Sequence, residues 1–389
     1  MSTINPASSY GVAGPGSNGV RATEAESSSA ASLLRLIWGI HISRCVYAAS
    51  ELGIADLLAD GPVSTKQLAR RTGSDEPSLY RVLRLLAALD VFQEHDGGSF
   101  SLTTIGERLR SDATPGMRSW ATFLEALGGI RPFEHILQTV KTGTPGLDCE
   151  FGTGVFEFLA QHPESAATFD RAMSERTAAY APSVAEDYDF SDVRGVVDVG
   201  GGNGTLLVEI LRAHPHLHGV LFEVPAVAAR ADAVLDAVEV GSRCQVLAGD
   251  FFEQVPPGAD CYVLANVLHD WDDARSIQIL RNCRRSMAGG GRVLIVERLM
   301  PEDGRDPVPT LLSDINMLIL TGGKERSNAE YGELLNAAGL KLGTVQPVAF
   351  PYGVIEGFAA WTRPPAPRGR NRRHVVTPRA QARGHLSDT

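Results

Sequence analysis

From Gly195 onward the chain alternates short apolar runs with amphipathic ones, and that grammar leaves few folds open. GVVDVG, HGVLFEV, CQVLAGD, CYVLANVLH and RVLIVERLM are short and rich in Val, Leu and Ile, and they read as buried strands. TLLVEILRAH, AVAARADAVLDAV and ARSIQILRNCRRSM lie among them and read as helices. Such alternation predicts an α/β, doubly wound, Rossmann-like sheet, mostly parallel, with helices on both faces. The last two apolar runs, LKLGTVQPVAF and YGVIEGFAAW, meet at Pro351 and predict a C-terminal hairpin, antiparallel and at a sheet edge.

A chain of 389 residues is longer than one ordinary core requires, and a second pattern precedes the sheet. Residues 33–58 carry a long helical pattern with Leu33, Leu36, Ile37, Ile40, Val46 and Leu57 on its apolar side; Gly61 and Pro62 then break the chain. Ser64 is a good N-cap for TKQLARR, Gly73 ends that helix, and Pro77 opens a second, SLYRVLRLLAAL. VFQEHDGGSFSLT reads as two short strands around a Gly-Gly turn, which completes the outline of a winged helix. Residues 120–188 read as helices with turns between them, and Phe156, Phe158, Leu159, Phe169 and Met173 are expected to face inward.

These patterns divide the chain into five parts. Residues 1–30, rich in Ser, Gly and Ala, and residues 363–389, basic and Pro-rich, are expected to lack fixed structure. Between them lie a winged-helix-like domain (31–112), a helical linker that roofs a pocket (113–190) and the α/β domain (191–362).

Composition narrows the function. A formal charge of −10 argues against a general nucleic-acid binder. No apolar run reaches bilayer length, so no membrane partner is expected, and no signal peptide is legible at the N-terminus. Cys45, Cys149, Cys244, Cys261 and Cys283 are widely spaced without a CxxC pair, which fits buried thiols in a reducing cytoplasm. His214, His216 and His218 form an HPHLH run that invites a metal reading. It falls at the amino end of a strand and reads as a solvated loop, so no metal is expected.

The sharpest local feature is DVGGGNG, residues 198–204, directly after a strand and directly before a helix. Glycines there let the backbone approach a ligand, and the helix start offers free N–H groups. A tight turn or a dinucleotide loop are the alternatives, although GGGNG departs from GxGxxG. The second strand ends in Glu223, about twenty residues on, where a carboxylate can accept both ribose hydroxyls. The third ends at Asp250 and Phe251, an acid for an exocyclic amine beside a ring for a base face. All three features fall on the carboxyl edge of a parallel sheet, where such sheets bind ligands.

The run VVDVGGGNG, LFEVP, GDFF, LHDWDD and GGKERS resembles the plant and bacterial small-molecule O-methyltransferases, class I S-adenosylmethionine-dependent enzymes of the caffeate, isoflavone and polyketide type. The resemblance spans residues 33–361. It implies a seven-stranded sheet and S-adenosyl-L-methionine as cofactor. Gly200 and Gly202 would hold the methionine part, Glu223 the ribose, Asp250 and Phe251 the adenine, and Ala265 would offer backbone only. It also implies a homodimer through the winged-helix-like domain, and acceptor contacts from Asn316 and Met317. Phe123, Phe156 and Met173 could add apolar wall to that pocket or simply fill core.

Methyl transfer to a hydroxyl needs a base, and a histidine titrates near working pH. His269, just past a strand in VLHDWDD, takes that role; Glu297 at the end of RVLIVE is expected to accept its other N–H, and the resemblance makes Glu325 a second acidic flank. Asp270 and Trp271 are expected to shape the turn. The reading is therefore methyl transfer to a phenolic hydroxyl of a small aromatic acceptor. Two rivals stay open: a SAM-binding enzyme with non-methyl chemistry such as hydroxylation, and a winged-helix DNA-binding regulator whose recognition helix carries Arg81 and Arg84.

Overall fold

The computed structural model describes residues 24–235, 239–301 and 305–359, and the chain divides after Thr122 into two units. The C-terminal tail, most of the N-terminal one, and the segment around residue 303 lie outside the described residues. In the first unit helix α1 (Glu24–Ile37) begins inside the segment expected to lack structure, because Ala, Glu and Leu outnumber its serines as helix formers toward the end. The single long helix expected over residues 33–58 is three pieces: α1, α2 (Gly39–Glu51) and α3 (Ile54–Leu57). Trp38 interrupts it once, and Gly53, at φ 64°, interrupts it again. The apolar side splits with it. Val46 and Leu57 pack on the core of this unit, whereas Leu33, Leu36, Ile37 and Ile40 are exposed.

The rest of the unit follows its caps. A two-residue strand β1 (Val63–Ser64) leads into α4 (Thr65–Thr72), where the Ser64 side chain accepts the Gln67 N–H. Asp75 caps α5 (Glu76–Ala87) by accepting from Ser78 N–H at 3.0 Å. Strands β2 (Phe92–His95) and β3 (Ser99–Leu102) form the antiparallel hairpin, and β1 adds to β3 in the order β1-β3-β2. Leu68, Leu83, Leu86, Phe92 and Phe100, all fully buried, close its core. Helix α6 (Arg118–Ala126) crosses the division.

Six helices open the second unit: α7 (Arg131–Glu134), α8 (Ile136–Thr142), α9 (Gly146–Phe151), α10 (Val155–Gln161), α11 (Pro163–Ala178) and α12 (Ala181–Asp187). Phe158 and Leu159 face inward as expected, and Phe169 and Met173 are half-buried. Phe156 does not: it is 42% exposed and stacks on Trp271 with ring centroids 5.3 Å apart. Its neighbour Val155 takes the buried face of α10, so the ring points away.

Then the alternation begins: β4 (Gly195–Val199), α13 (Thr205–Ala213), β5 (His218–Glu223), α14 (Pro225–Leu235), β6 (Cys244–Ala248), β7 (Cys261–Ala265), α15 (Asp273–Ser286), β8 (Arg292–Arg298), α16 (Val308–Leu320), α17 (Asn328–Ala337), β9 (Leu340–Pro347) and β10 (Tyr352–Ala359). The sheet order is β6-β5-β4-β7-β8-β10-β9. Strands β4 to β8 are parallel; β10 runs antiparallel to both β8 and β9. The hairpin thus puts β9, not both strands, at the edge. Alternate residues serve opposite cores: Val196 packs with Leu207 and Val184, Val197 with Ile279 and Leu335. Strand order reverses between β4 and β7, so the loops after those two strands part and leave a crevice at the carboxyl edge.

At the amino edge a polar cluster is buried. Tyr188 donates to Glu356 Oε1 at 2.5 Å, the Thr344 N–H donates to Glu356 Oε2 at 3.1 Å, and Arg292 donates to Tyr188 Oη at 3.1 Å and Asp192 at 2.6 Å. It joins the end of α12 to β8, β9 and β10. Removing Glu356 strands the Tyr188 hydroxyl and the Thr344 N–H and leaves Arg292 with Asp192 as its remaining carboxylate. Glu356→Ala is expected to cost about 3–5 kcal/mol in urea denaturation, and Glu356→Gln clearly less.

Candidate active site

The loop after β4 is shaped by backbone that other residues resist. Gly200 and Gly202 adopt φ 70° and 59°, and a side chain on Gly201 would overlap the Asp198 carboxylate. The loop is tied to the next strand at two points. Gly200 N–H donates to Phe222 O at 2.8 Å, and Gly202 N–H donates to Glu223 Oε1 at 2.9 Å. Glu223 Oε2 accepts the Val224 N–H at 2.8 Å, which fixes both carboxylate oxygens and leaves each a lone pair. On α11, Ser174, one residue along from Met173, accepts a bond from Asn203 Nδ2 at 3.0 Å.

Asp250 is exposed at the end of β6, where its Oδ1 accepts the Phe252 N–H at 2.7 Å. Phe251 is half-buried, and Phe251, Phe252 and Trp271 meet edge to face with centroids 4.8 to 6.2 Å apart. Trp271 also stacks on Phe156. Ala265, half-buried, ends β7; the strand stops earlier than the sequence suggests because Asn266 takes a left-handed conformation, φ 53°. Its Nδ2 donates to Tyr180 Oη at 2.6 Å, and its Oδ1 is buried without a hydrogen bond.

Asp198 is a group the sequence reading passed over as part of a motif. It is 1% exposed, and neither carboxylate oxygen has a hydrogen bond of ordinary geometry. Burial pushes its carboxyl up to about 7; the charge of Glu223 adds to this, and the Leu207 N–H offsets it in part. The signal was available: a lone acid inside an apolar strand, followed by glycines that alone can pack against it. A cationic group brought to this loop would restore its charge.

After β7 the chain makes a tight turn over Leu268–Asp270, and His269, 1% exposed, lies within it. Two carboxylates hold this turn, in roles that differ from expectation. Glu297, fully buried at the end of β8, accepts three successive backbone N–H groups through Oε1: Val267 at 3.1 Å, Leu268 at 3.0 Å and His269 at 3.3 Å. Its Oε2 stands 3.6 Å from His269 Nδ1, beyond hydrogen-bond reach. The bond to Nδ1 comes from Glu325 Oε1, at 3.0 Å. Glu325 thus orients the ring, and Glu297 sets the backbone beneath it. Spacing along the sequence could not separate these roles, since both acids reach the same turn.

The GGKERS segment packs directly on that turn. A side chain on Gly323 would overlap the His269 carbonyl, which instead accepts the Lys324 N–H at 2.9 Å. Arg326, 1% exposed, donates to Leu268 O at 2.8 Å and Trp271 O at 2.7 Å and pairs with Asp273. Burial opposes a charge on His269, but Glu297, Glu325 and Asp270 outweigh it and push the imidazole up to about 9. Burial raises the Glu297 carboxyl; for Glu325 the bonded imidazole outweighs burial and lowers it. On α16, Met317 is buried and Asn316 half-buried, while Phe123, expected as pocket wall or core, is buried. His214 and His216 contact the Ala185 and Phe190 carbonyls through Nε2, at 2.8 and 3.2 Å, so both tie down neighbouring chain. Glu297→Ala would strand three buried N–H groups and is expected to cost roughly 3 kcal/mol or more in thermal or urea unfolding. Glu297→Gln keeps an oxygen acceptor and should unfold close to wild type; equal losses would contradict the backbone role.

Comparison with known proteins identifies the family. The profile of an O-methyltransferase domain matches residues 133–341, and that of an O-methyltransferase dimerisation domain matches residues 34–112. A phenazine O-methyltransferase of Lysobacter antibioticus is 42% identical over 324 residues, 83% of this chain and 94% of that protein. The structure of a mitomycin 7-O-methyltransferase superposes with a TM-score of 0.81 at 35% identity, covering 86% of this chain and 99% of that one. An O-methyltransferase of neocarzinostatin biosynthesis, solved with S-adenosyl-L-homocysteine and 1,4-dihydroxy-2-naphthoic acid, superposes at 0.72 with 34% identity over 84% of this chain and 98% of that one. Two domain matches in the right order, and relatives covered almost end to end, show that the chain belongs to the family of S-adenosylmethionine-dependent O-methyltransferases.

Proposed function

We propose that this enzyme methylates a phenolic hydroxyl of a flat aromatic molecule, with His269 as general base. The observation that carries the reading is the His269 pair. Nδ1 is held by the Glu325 carboxylate, which leaves Nε2, without a hydrogen bond among the described residues, as the nitrogen that takes the acceptor's proton. Glu297 and Asp270 then stabilise the imidazolium formed. Bound S-adenosylmethionine supplies an electrophilic methyl group on a cationic sulfonium. Gly200, Gly202 and Asp198 would hold its methionine part, Glu223 its ribose, Asp250 and Phe251 its adenine, with backbone at Ala265. Met173, Asn316 and Met317 would meet the acceptor. The aromatic class is supported by relatives named as methyltransferases of phenazine and of a dihydroxy-naphthoate, and by the Phe156–Trp271 stack in this chain. A base held by two buried acids suits proton abstraction and gives no support to hydroxylation.

The first unit supports a homodimer. Leu33, Leu36, Ile37, Trp38 and Ile40 are 47–78% exposed on α1, on α2 and at the break between them, within the match to the dimerisation domain but for Leu33 at its border. Apolar residues in such a run mark an association surface. Among the described residues no helix is long and apolar enough to cross a membrane. A Leu36→Glu/Ile37→Glu double variant should elute as a monomer where the parent elutes as a dimer, by size exclusion with light scattering; an unchanged mass would place the interface elsewhere.

His269→Ala should lower turnover by roughly two orders of magnitude or more, with S-adenosylmethionine affinity nearly unchanged in calorimetry. Retained turnover would remove the histidine from its role. The pH dependence carries a sign. An imidazole raised to about 9 is protonated and inactive below that value, so kcat/KM should climb with pH and level off near 9. The limb in kcat should lie lower, because a bound sulfonium disfavours a second positive charge nearby.

A further inference from the structure

We infer that Ser313 is a positioning residue of this site: its hydroxyl shares the Glu325 oxygen that holds His269 and so sets how tightly the imidazole keeps its proton. The inference rests on the reading of His269 as general base. Ser313 lies on α16 and is 8% exposed. Its Oγ donates to Glu325 Oε1 at 2.6 Å, and the same oxygen receives His269 Nδ1 at 3.0 Å. The other oxygen, Oε2, is buried with no hydrogen bond. Both side-chain bonds that stabilise the Glu325 charge therefore fall on one atom. The following residue grips the same glutamate from behind: Asp314 Oδ1 accepts the Glu325 N–H at 2.9 Å. One turn of α16 thus fixes both the backbone and the carboxylate of the group that orients the base.

A donor on a carboxylate stabilises the anion and drains charge from its other bond. With the Ser313 hydroxyl in place, part of the Glu325 charge is spent on it rather than on the imidazolium. Take the hydroxyl away, and the whole charge acts on His269; the imidazolium is favoured, and the neutral base forms only at higher pH. No proton leaves Ser313 in this arrangement. The other groups facing the pair stay unchanged: Glu297 and Arg298 from β8, Asp270 from the turn, Arg176 from α11, Tyr331 from α17 and Tyr352 from β10. Helical spacing also puts Ser313, Asn316 and Met317 on one side of α16. The helix that would touch the acceptor therefore carries the hydroxyl that tunes the base, and a small movement of α16 reaches Glu325 directly.

The test compares kcat/KM against pH for wild type, Ser313→Ala, Ser313→Thr and His269→Ala. Ser313→Ala should move the acidic limb up by roughly half a pH unit or more and lower turnover at pH 7 by roughly three- to tenfold, with the KM for S-adenosylmethionine unchanged. Ser313→Thr, which keeps the hydroxyl, should restore the limb. A Ser313→Ala profile superimposable on wild type overturns the inference, and so does a Ser313→Thr profile that matches Ser313→Ala. If Ser313→Ala is too unstable to assay, Ser313→Cys, a weak donor, should give an intermediate limb, and a wild-type limb there overturns the inference equally. An active His269→Ala enzyme that keeps the wild-type limb overturns the base assignment itself, a result separate from any Ser313 profile.

Discussion

A buried carboxylate is costly to ionise without donors, and the way Glu297 meets that cost organises the turn that carries His269. It is fully buried at the end of a central strand, and it takes its compensation from three consecutive N–H groups of the turn after the neighbouring strand. Desolvating such a charge costs several kcal/mol, so the turn and the acid hold each other in place. The bonds between them cross from β8 to the segment after β7, at the same edge as the glycine loop, Glu223 and Asp250. His269 is carried by that turn, and Arg326 and the Lys324 N–H clamp the same turn from the opposite side through the Leu268, Trp271 and His269 carbonyls. The imidazole is thus placed by backbone bonds before Glu325 selects its orientation.

The sheet explains why these groups share one edge. In a parallel sheet every strand ends on the same side, and reversal of strand order between β4 and β7 opens the crevice there. The glycine loop, Glu223 and Asp250 follow the strands on one side of the reversal; His269 and Glu297 follow those on the other. The antiparallel β10 and β9 extend the sheet beyond β8, and the polar cluster of Tyr188, Arg292 and Glu356 anchors that extension at the far edge. Function and anchoring therefore occupy opposite ends of the same strands.

Much of this was legible in sequence, for a physical reason. Strand ends are marked by the switch from apolar runs to Gly, Asp, Glu and His, so Gly200, Glu223, Asp250, His269 and Glu297 could be placed on one edge without a structure. Other features depend on side-chain reach or tertiary context. The apolar period over residues 33–58 is genuine, yet Leu36 and Ile37 face solvent, because period says which residues share a face and not what covers it. Glu297 and Glu325 could be paired with His269, but which one touches Nδ1 is settled by a difference of 3.0 against 3.6 Å. Phe156 read as inward-facing, as core or pocket wall; it is 42% exposed and stacks on Trp271, a partner more than a hundred residues away. Ser313 carried no signal at all: a serine inside an apolar helix is informative only once Glu325 is seen beside it.

The distribution of charge across the crevice gives these parts a common logic. Asp198 and Glu223 lie on one side, Asp270, Glu297 and Glu325 on the other, and burial raises the cost of ionising each of them. Such a set is expensive to keep without a cation, and it favours the imidazolium form of His269. A cationic methyl donor relieves the same excess of negative charge. With such a donor held there, the proton on His269 would be less favoured, because two positive charges would share these acids. On the proposed reading, the acids that favour a proton on His269 are therefore the ones through which a bound sulfonium would free it, so the base would become competent when a methyl group is there to be transferred.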